Sequence, residues 1–174
     1  EHNTEEWIPN LLETRPEAII LHGRTQKMQS DYPAVWEEIG KAVELRNEIS
    51  PDTALIGNGD IYSMADASRL IEEQKCDGVM IGRGIFKDPW IFNMPKLDRS
   101  PIERINLLWQ HAGLFTSYWG NSMNFNILKR FFKIYSTGFY GAAELRAKLM
   151  ETYNLDDVHK VLSEIPNVKL NLDK

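Results

Sequence analysis

Along the first half of the chain, apolar residues alternate between short continuous runs and helical spacing. Ala18-Ile-Ile-Leu breaks into His22-Gly-Arg-Thr25, Leu55-Ile-Gly into Asn58-Gly-Asp60, and Val79-Met-Ile into Gly82-Arg-Gly84. Short β-prone runs that give way abruptly to glycine and polar residues are expected where buried parallel strands end. The predicted strands are Ala18–His22, Thr53–Gly57 and Gly78–Gly82. Between the first two, Val35, Trp36, Ile39 and Val43 recur at helical spacing among Glu37, Glu38, Lys41 and Glu44, predicting a helix over Ala34–Ile49. Ser63-Met-Ala-Asp66 reads as an N-cap with an acidic residue three positions on, opening a second helix through Leu70 and Ile71 to about Lys75. Strands alternating with helices imply parallel pairing through crossovers, hence an α/β sheet or barrel with its ligands at the carboxyl ends of the strands.

The pattern changes near residue 94. Residues 94–100 contain Pro95 and read as a linker, and Ser100-Pro-Ile-Glu103 is a capping box with proline at the first helical position. Ile102, Ile105, Leu108, Ala112, Phe115 and Trp119 then repeat at helical spacing. Further helices are predicted over Met123–Thr137, with Phe125, Leu128, Phe132 and Tyr135 apolar and Gly138 as the stop, over Ala142–Tyr153, and over Asp156–Ile165. Short connections favour antiparallel neighbours, so 101–174 is expected to be a small helical bundle after an α/β part spanning 1–93.

Composition adds bounds. At 174 residues and 43% hydrophobic, the chain can form a core, but it is shorter than the roughly 250 residues of a complete (β/α)8 barrel. No apolar run approaches a membrane span, so no membrane partner is expected. The single cysteine excludes an internal disulfide and suits a reducing cytoplasm, the expected location. Residues 1–100 carry 11 Lys/Arg against 18 Asp/Glu, residues 101–150 carry 6 against 2, and residues 151–174 carry 3 against 5, so only the middle block is basic.

The candidate chemistry follows from the strand ends. Glycines at 59, 82 and 84 let backbone N–H groups approach a phosphate, and Arg83 offers a forked, permanently charged donor. Each segment alone reads equally as a tight turn; paired at consecutive strand ends, Asn58, Gly59, Asp60 and Gly82, Arg83, Gly84 point to a shared phosphate site. His22 and Arg24 end the earlier strand at the same level. Cys76 falls between a helix end and a strand start, on the face opposite such a site, and is read as structural. No metal site is predicted. In the basic block, Lys129, Arg130, Lys133, Arg146 and Lys148 could neutralise nucleic-acid phosphates or form a solvated helix face. Phe131, Tyr135, Phe139 and Tyr140 could stack on bases, but are read as core because 131, 135 and 139 share one helical stripe.

His22-Gly-Arg-Thr25, Trp36, Asn58-Gly-Asp60, Cys76-Asp-Gly-Val-Met-Ile-Gly-Arg-Gly84 and Pro89-Trp-Ile-Phe92 together resemble the tRNA-dihydrouridine synthases. Leu128-Lys-Arg-Phe-Phe-Lys-Ile-Tyr135 and Gly138-Phe-Tyr-Gly-Ala-Ala-Glu-Leu-Arg146 are similar to the helical domain that follows the barrel in that family. The resemblance implies the last three strands of a flavin-binding (β/α)8 barrel, preceded by a helix around Thr4–Leu12 and followed by a tRNA-holding helical domain. It implies FMN as cofactor, NADPH or NADH as reductant, and tRNA as substrate. In the intact enzyme, hydride would pass to C6 of a uracil flipped out of the tRNA while a cysteine protonates C5. It places His22 against the flavin; Arg24 could meet flavin, uracil or phosphate, or pair with an acidic neighbour. The loop bearing the acid cysteine is not in this chain, so the chain by itself is expected to be inactive, with the missing barrel half or a second copy as a partner for its open strand edges. The segment between Thr25 and Trp36 departs from the family in lacking glycine. Two other functions compete: a phosphate-binding barrel oxidoreductase acting on a small molecule, and a non-catalytic RNA-binding module.

Overall fold

The computed structural model describes residues 3–93 and 97–166, with all their side chains except that of Asn121. The chain divides into two compact units, Glu1–Met94 and Pro95–Lys174. Residues 94–96 of the expected linker and 167–174 of the expected bundle lie outside the described residues.

The first unit is α/β. Its elements run α1 (Thr4–Leu12), β1 (Ala18–His22), α2 (Glu37–Ile49), β2 (Ala54–Asn58), α3 (Met64–Gln74), β3 (Gly78–Met80) and the single turn α4 (Gly84–Lys87). The strands form one parallel sheet in the order β1-β2-β3. His22 lies opposite Asn58, and Asn58 opposite Met80, so three side chains form a row where the strands end. Ile19, Leu21, Leu55 and Val79 pack with Ile8, Leu12, Ile39, Val43 and Leu70 from the helices. The alternate positions face away from this core, leaving Ile20 58% and Met80 46% exposed.

An arginine–aspartate pair pins each end of the sheet. At the amino ends, buried Arg46 donates to the Thr53 carbonyl at 2.7 Å and to Asp77, whose carboxylate also accepts from the Leu55 N–H at 2.7 Å. Burial pushes the Asp77 carboxyl up, but the Leu55 N–H and the Arg46 guanidinium outweigh it and hold it below its ordinary value. At the carboxyl ends the pair is Arg24 with Asp60.

Several boundaries shift from the sequence-based expectation, β2 by one residue and the last two helices by one to three; two shifts bear on the cleft. Helix α2 starts at Glu37 and not at Ala34; in the loop before it the Ala34 N–H binds the Asp60 carboxylate and the Val35 N–H binds the Gly23 carbonyl. Strand β3 stops at Met80, and the chain turns through Gly82 and Arg83 into α4. The Ser63 cap is present, accepting from the Asp66 N–H at 3.0 Å.

Described residues of the second unit form α5 (Pro101–Trp119), a 3₁₀ turn (Gly120–Ser122), α6 (Asn126–Lys129), α7 (Phe132–Tyr135), α8 (Ala142–Met150) and α9 (Leu155–Ser163). The Ser100–Glu103 capping box opens α5. Helix α5 packs against α7 and α9, and α8 against the same two. The expected continuous helix over 123–137 is broken instead. Phe131 N–H binds Leu128 O and Ile134 N–H binds Phe131 O, three-residue spacings that turn the chain more tightly than an α-helix. Leu128, Phe131, Phe132, Ile134 and Tyr135 all reach one core across this break. Phe131, Tyr135 and Phe139 therefore do pack on the core, but not as one helical stripe, and Tyr140 is a correction: it is fully exposed. His111 Nδ1 lies 2.9 Å from the Tyr135 hydroxyl, where burial lowers the imidazole and pushes the phenol up to about 12.

Gly57 is where the sheet meets Trp36. A Cβ there would lie 2.4 Å from Trp36 Cζ3 and 2.8 Å from Cη2. Because the indole is also tied by its N–H to the Gly59 carbonyl at 3.0 Å, it has little room to yield. Gly57→Ala is expected to cost about 1–3 kcal/mol of stability by overpacking, measured by urea unfolding; an unchanged midpoint contradicts this contact.

Candidate functional site

The three strand ends open into a cleft of about 200 Å³ lined by His22, Arg24, Asn58 to Tyr62, Met80 and Gly82 to Gly84. Ligand pockets typically measure about 300–1,000 Å³, so the cleft matches one end of a cofactor better than a whole one. All eight residues expected at a cofactor site, His22, Arg24, Asn58, Gly59, Asp60, Gly82, Arg83 and Gly84, lie on it.

Its floor is set by the β2–α3 turn. Gly59 has φ +131°, which favours glycine, and Asp60 follows at φ +54°, a left-handed conformation that aspartate tolerates through its short polar side chain. A Cβ on Gly59 would collide with the Ala34 methyl at 2.6 Å and stand at ordinary contact distance, 3.7 Å and 3.8 Å, from His22 Nε2 and Arg24 Nη1, so this glycine lets the turn pack against Ala34. Above Gly82 nothing lies within 4 Å of where a Cβ would sit, so that backbone is open to a ligand. Gly84 differs: its Cβ would strike the Ile61 carbonyl at 2.3 Å, so this glycine serves packing.

Charge in the cleft is organised around Asp60. One carboxylate oxygen accepts from Arg24 and from the Ala34 N–H at 2.9 Å; the other accepts from the Tyr62 hydroxyl at 3.2 Å and from Arg83 at 3.1 Å. The Arg24 side chain is 4% exposed and also donates from Nε to the Tyr32 carbonyl at 2.6 Å. Arg83 is 47% exposed. Two arginines against one carboxylate leave an excess positive charge, and the exposed member carries it. At the neighbouring strand end, Asn58 Nδ2 donates to Met80 Sδ at 3.3 Å. Lys87 Nζ sits 3.9 Å over the Tyr62 ring.

Cys76 does not line the cleft; it is buried in the sheet–helix core just before β3, where burial pushes its thiol up. Among the described residues no group of three or more His, Cys, Asp or Glu could hold a metal, and no helix is long and apolar enough to cross a membrane.

The basic residues of the second unit are less uniform than their sequence suggests. Lys129 donates to the Met150 carbonyl at 2.7 Å and lies 4.4 Å over the Tyr153 ring, and Arg146 donates to the Ser136 carbonyl at 3.2 Å. The Glu164 carboxylate accepts from Lys148 at 2.9 Å and raises its pKa. Arg130 and Lys133 are exposed, but the break between α6 and α7 separates them from a single helix face.

Sequence reasoning missed Trp36 and Tyr62 as supports of the cleft. Trp36 reads as one more apolar position of a helix, and Tyr62 as a loop residue; only their placement shows the indole N–H on Gly59 and the hydroxyl on Asp60. The signal available was the polar handle that a buried Trp or Tyr must satisfy.

Burial raises the Asp60 carboxyl, but the hydrogen bond from Arg24, the Ala34 N–H, the Arg24 charge and the Tyr62 hydroxyl hold it at about 2, against an ordinary 3.8. A pKa lower in the folded than in the unfolded chain stabilises the fold above the unfolded value, and that stability is lost as pH falls through the folded one. The stability difference between the wild type and Asp60→Asn is expected to be full near neutrality and to shrink as pH falls from about 4 to about 2. Urea midpoints across that range check it; a pH-independent difference contradicts it.

The chain has clear relatives. The family model described as Dihydrouridine synthase (Dus) matches residues 1–169. A "Probable tRNA-dihydrouridine synthase" of Staphylococcus aureus strain Mu50 is 38% identical over 161 residues, covering 92% of this chain and 49% of the relative. A "Probable tRNA-dihydrouridine synthase 2" of Bacillus subtilis strain 168 is 38% identical over 160 residues, covering 91% and 48%. The chain thus spans about half the length of the curated relatives it matches. With nearly its whole length matched by the family model and the glycine-bordered strand ends in place, the chain belongs to the dihydrouridine synthase family.

Proposed function

We propose that this chain is part of an FMN-dependent enzyme that reduces uridine to 5,6-dihydrouridine in tRNA, with NADPH or NADH as reductant. The observation that carries the reading is the convergence of three parallel strand ends on one cleft with an exposed guanidinium at its mouth. The donor set fits the phosphate end of a flavin mononucleotide: Arg83 supplies charge, and the open backbone at Gly82 supplies an N–H. His22 and Asn58, adjacent in the sheet row, would border the remainder of the cofactor. Bound FMN would supply the two-electron transfer; the residues of this chain bind and orient it.

On this reading, residues 1–93 are the last three strands of a (β/α)8 barrel, 94–100 a linker, and 101–174 the domain that holds tRNA. The sheet face carrying Ile20 and Met80 is then the barrel interior, covered in the whole protein by the half of the relatives' length that this chain does not match. The buried Cys76 is not offered as the proton donor. In the second unit, exposed Lys133 is the most available phosphate contact among the described residues; Arg130 is exposed but donates from Nε to the Ile127 carbonyl at 3.1 Å, and Lys129, Arg146 and Lys148 are engaged with other groups.

Filter binding with an unmodified tRNA transcript, together with an absorbance spectrum of the chain mixed with FMN and passed through a desalting column, separates the three readings. The proposal expects tRNA binding that weakens as salt rises, and flavin that co-elutes with the protein. Flavin retention without salt-dependent tRNA binding favours a small-molecule oxidoreductase; tRNA binding without flavin favours an RNA-binding module.

A further inference from the structure

We propose that Asp60 is a positioning residue of the anion site: its carboxylate fixes the Arg24 and Arg83 guanidinium groups around the cleft and does not itself touch the ligand. The inference rests on the phosphate reading above and deepens it, because it takes one of the residues at the centre of the loop out of the ligand's contacts and assigns it the geometry of the others.

The argument begins with lone pairs. An ionised carboxylate only accepts, and its two oxygens here already receive Arg24, the Ala34 N–H, the Tyr62 hydroxyl and Arg83. A ligand hydroxyl could reach it only by displacing one of these donors, and a ligand phosphate would be repelled by its charge. The two arginines differ in what they have left. Arg24 is buried and tied on two sides, to Tyr32 and to Asp60, so it acts as a strut. Arg83 is half exposed and, among the described residues, its side chain bonds only to Asp60, through one terminal nitrogen. Most of its N–H donors therefore remain for an oxyanion, on a guanidinium already held in place. Without the carboxylate between them, two like charges on one small cleft would push apart, and the flexible member is Arg83.

Simple electrostatics and positioning predict opposite signs. Asp60→Asn removes a negative charge from an anion site, so a purely Coulombic account expects tighter phosphate binding. Positioning expects weaker binding, since an amide offers one acceptor oxygen and turns donors toward an arginine. Asparagine accepts the left-handed backbone at position 60 as readily as aspartate, so the substitution tests the side chain and not the turn.

The experiment follows the Arg83 Nε–Hε group by NMR relaxation in the 174-residue chain, with inorganic phosphate as the titrant. In the wild type this group is expected to be ordered, and to shift on addition of phosphate; in Asp60→Asn it becomes mobile and phosphate binds about tenfold more weakly. Arg83→Gln weakens phosphate by a similar factor, and adding Asp60→Asn to it has no further effect, because Asp60 acts through Arg83. Unchanged or tighter binding in Asp60→Asn, where Arg83→Gln weakens it, overturns the positioning role and leaves the phosphate site standing. Equal binding by the wild type and Arg83→Gln overturns the phosphate reading itself, and the proposal with it. Should Asp60→Asn fail to fold by far-UV circular dichroism, the unsubstituted chain still decides: an Arg83 side chain there as mobile as that of a free exposed arginine overturns the proposal.

Discussion

One carboxylate joins parts of the chain that are distant in sequence. Asp60 bonds to Arg24, 36 residues earlier, and to Arg83, 23 residues later, and so connects the loops after all three strands. It neutralises a buried guanidinium that would otherwise be costly to remove from water, and it holds one terminal nitrogen of an exposed one. The cleft has its shape because the loops around it share this centre. Below it, Trp36 supplies the complementary constraint. Its ring takes the space that a side chain at Gly57 would fill, and its N–H holds the Gly59 carbonyl, so the helix that follows β1 supports the turn that follows β2.

Much of this fold can be read from residue order. The three strands, the Ser63 and Ser100 caps and the helical second unit follow from spacing and local chemistry, which is where sequence is most informative. The departures have a common cause in contacts made outside the local window. Ala34 and Val35 fit a helical pattern but belong to the loop that reaches Asp60 and Gly23. The run from Met123 to Thr137 has good helical periodicity, yet it folds as two short helices whose Leu128, Phe132 and Tyr135 are buried in a core shared with residues distant in sequence. Tyr140 sits beside core residues in sequence and is nonetheless exposed, because the chain turns at Gly138 and Gly141, both at positive φ.

Legibility of the candidate site was uneven for the same reason. Glycine and polar residues at strand ends announce a ligand site, and all eight residues so marked line the cleft. Which of them face a ligand is a separate matter that sequence does not encode locally. Gly82 leaves space, whereas Gly59 and Gly84 are packed, the first against the Ala34 methyl and the second against the Ile61 carbonyl. Likewise Arg24 and Arg83 look alike in sequence and differ in burial, one a strut and the other available. The basic residues of the second unit repeat the lesson, since Lys148 is drawn into an ion pair with Glu164 that no helical spacing would reveal.

Family membership and the geometry of the cleft meet in one claim, that the strand ends hold the phosphate of a flavin mononucleotide. Comparing the affinities of the chain for FMN and for riboflavin, which lacks the phosphate, tests it most directly. The account predicts that FMN binds at least about tenfold more tightly, the difference being a charge-assisted contact with Arg83, and that Arg83→Gln removes the preference. Equal affinity for the two flavins, or a preference for FMN that survives Arg83→Gln, would contradict it.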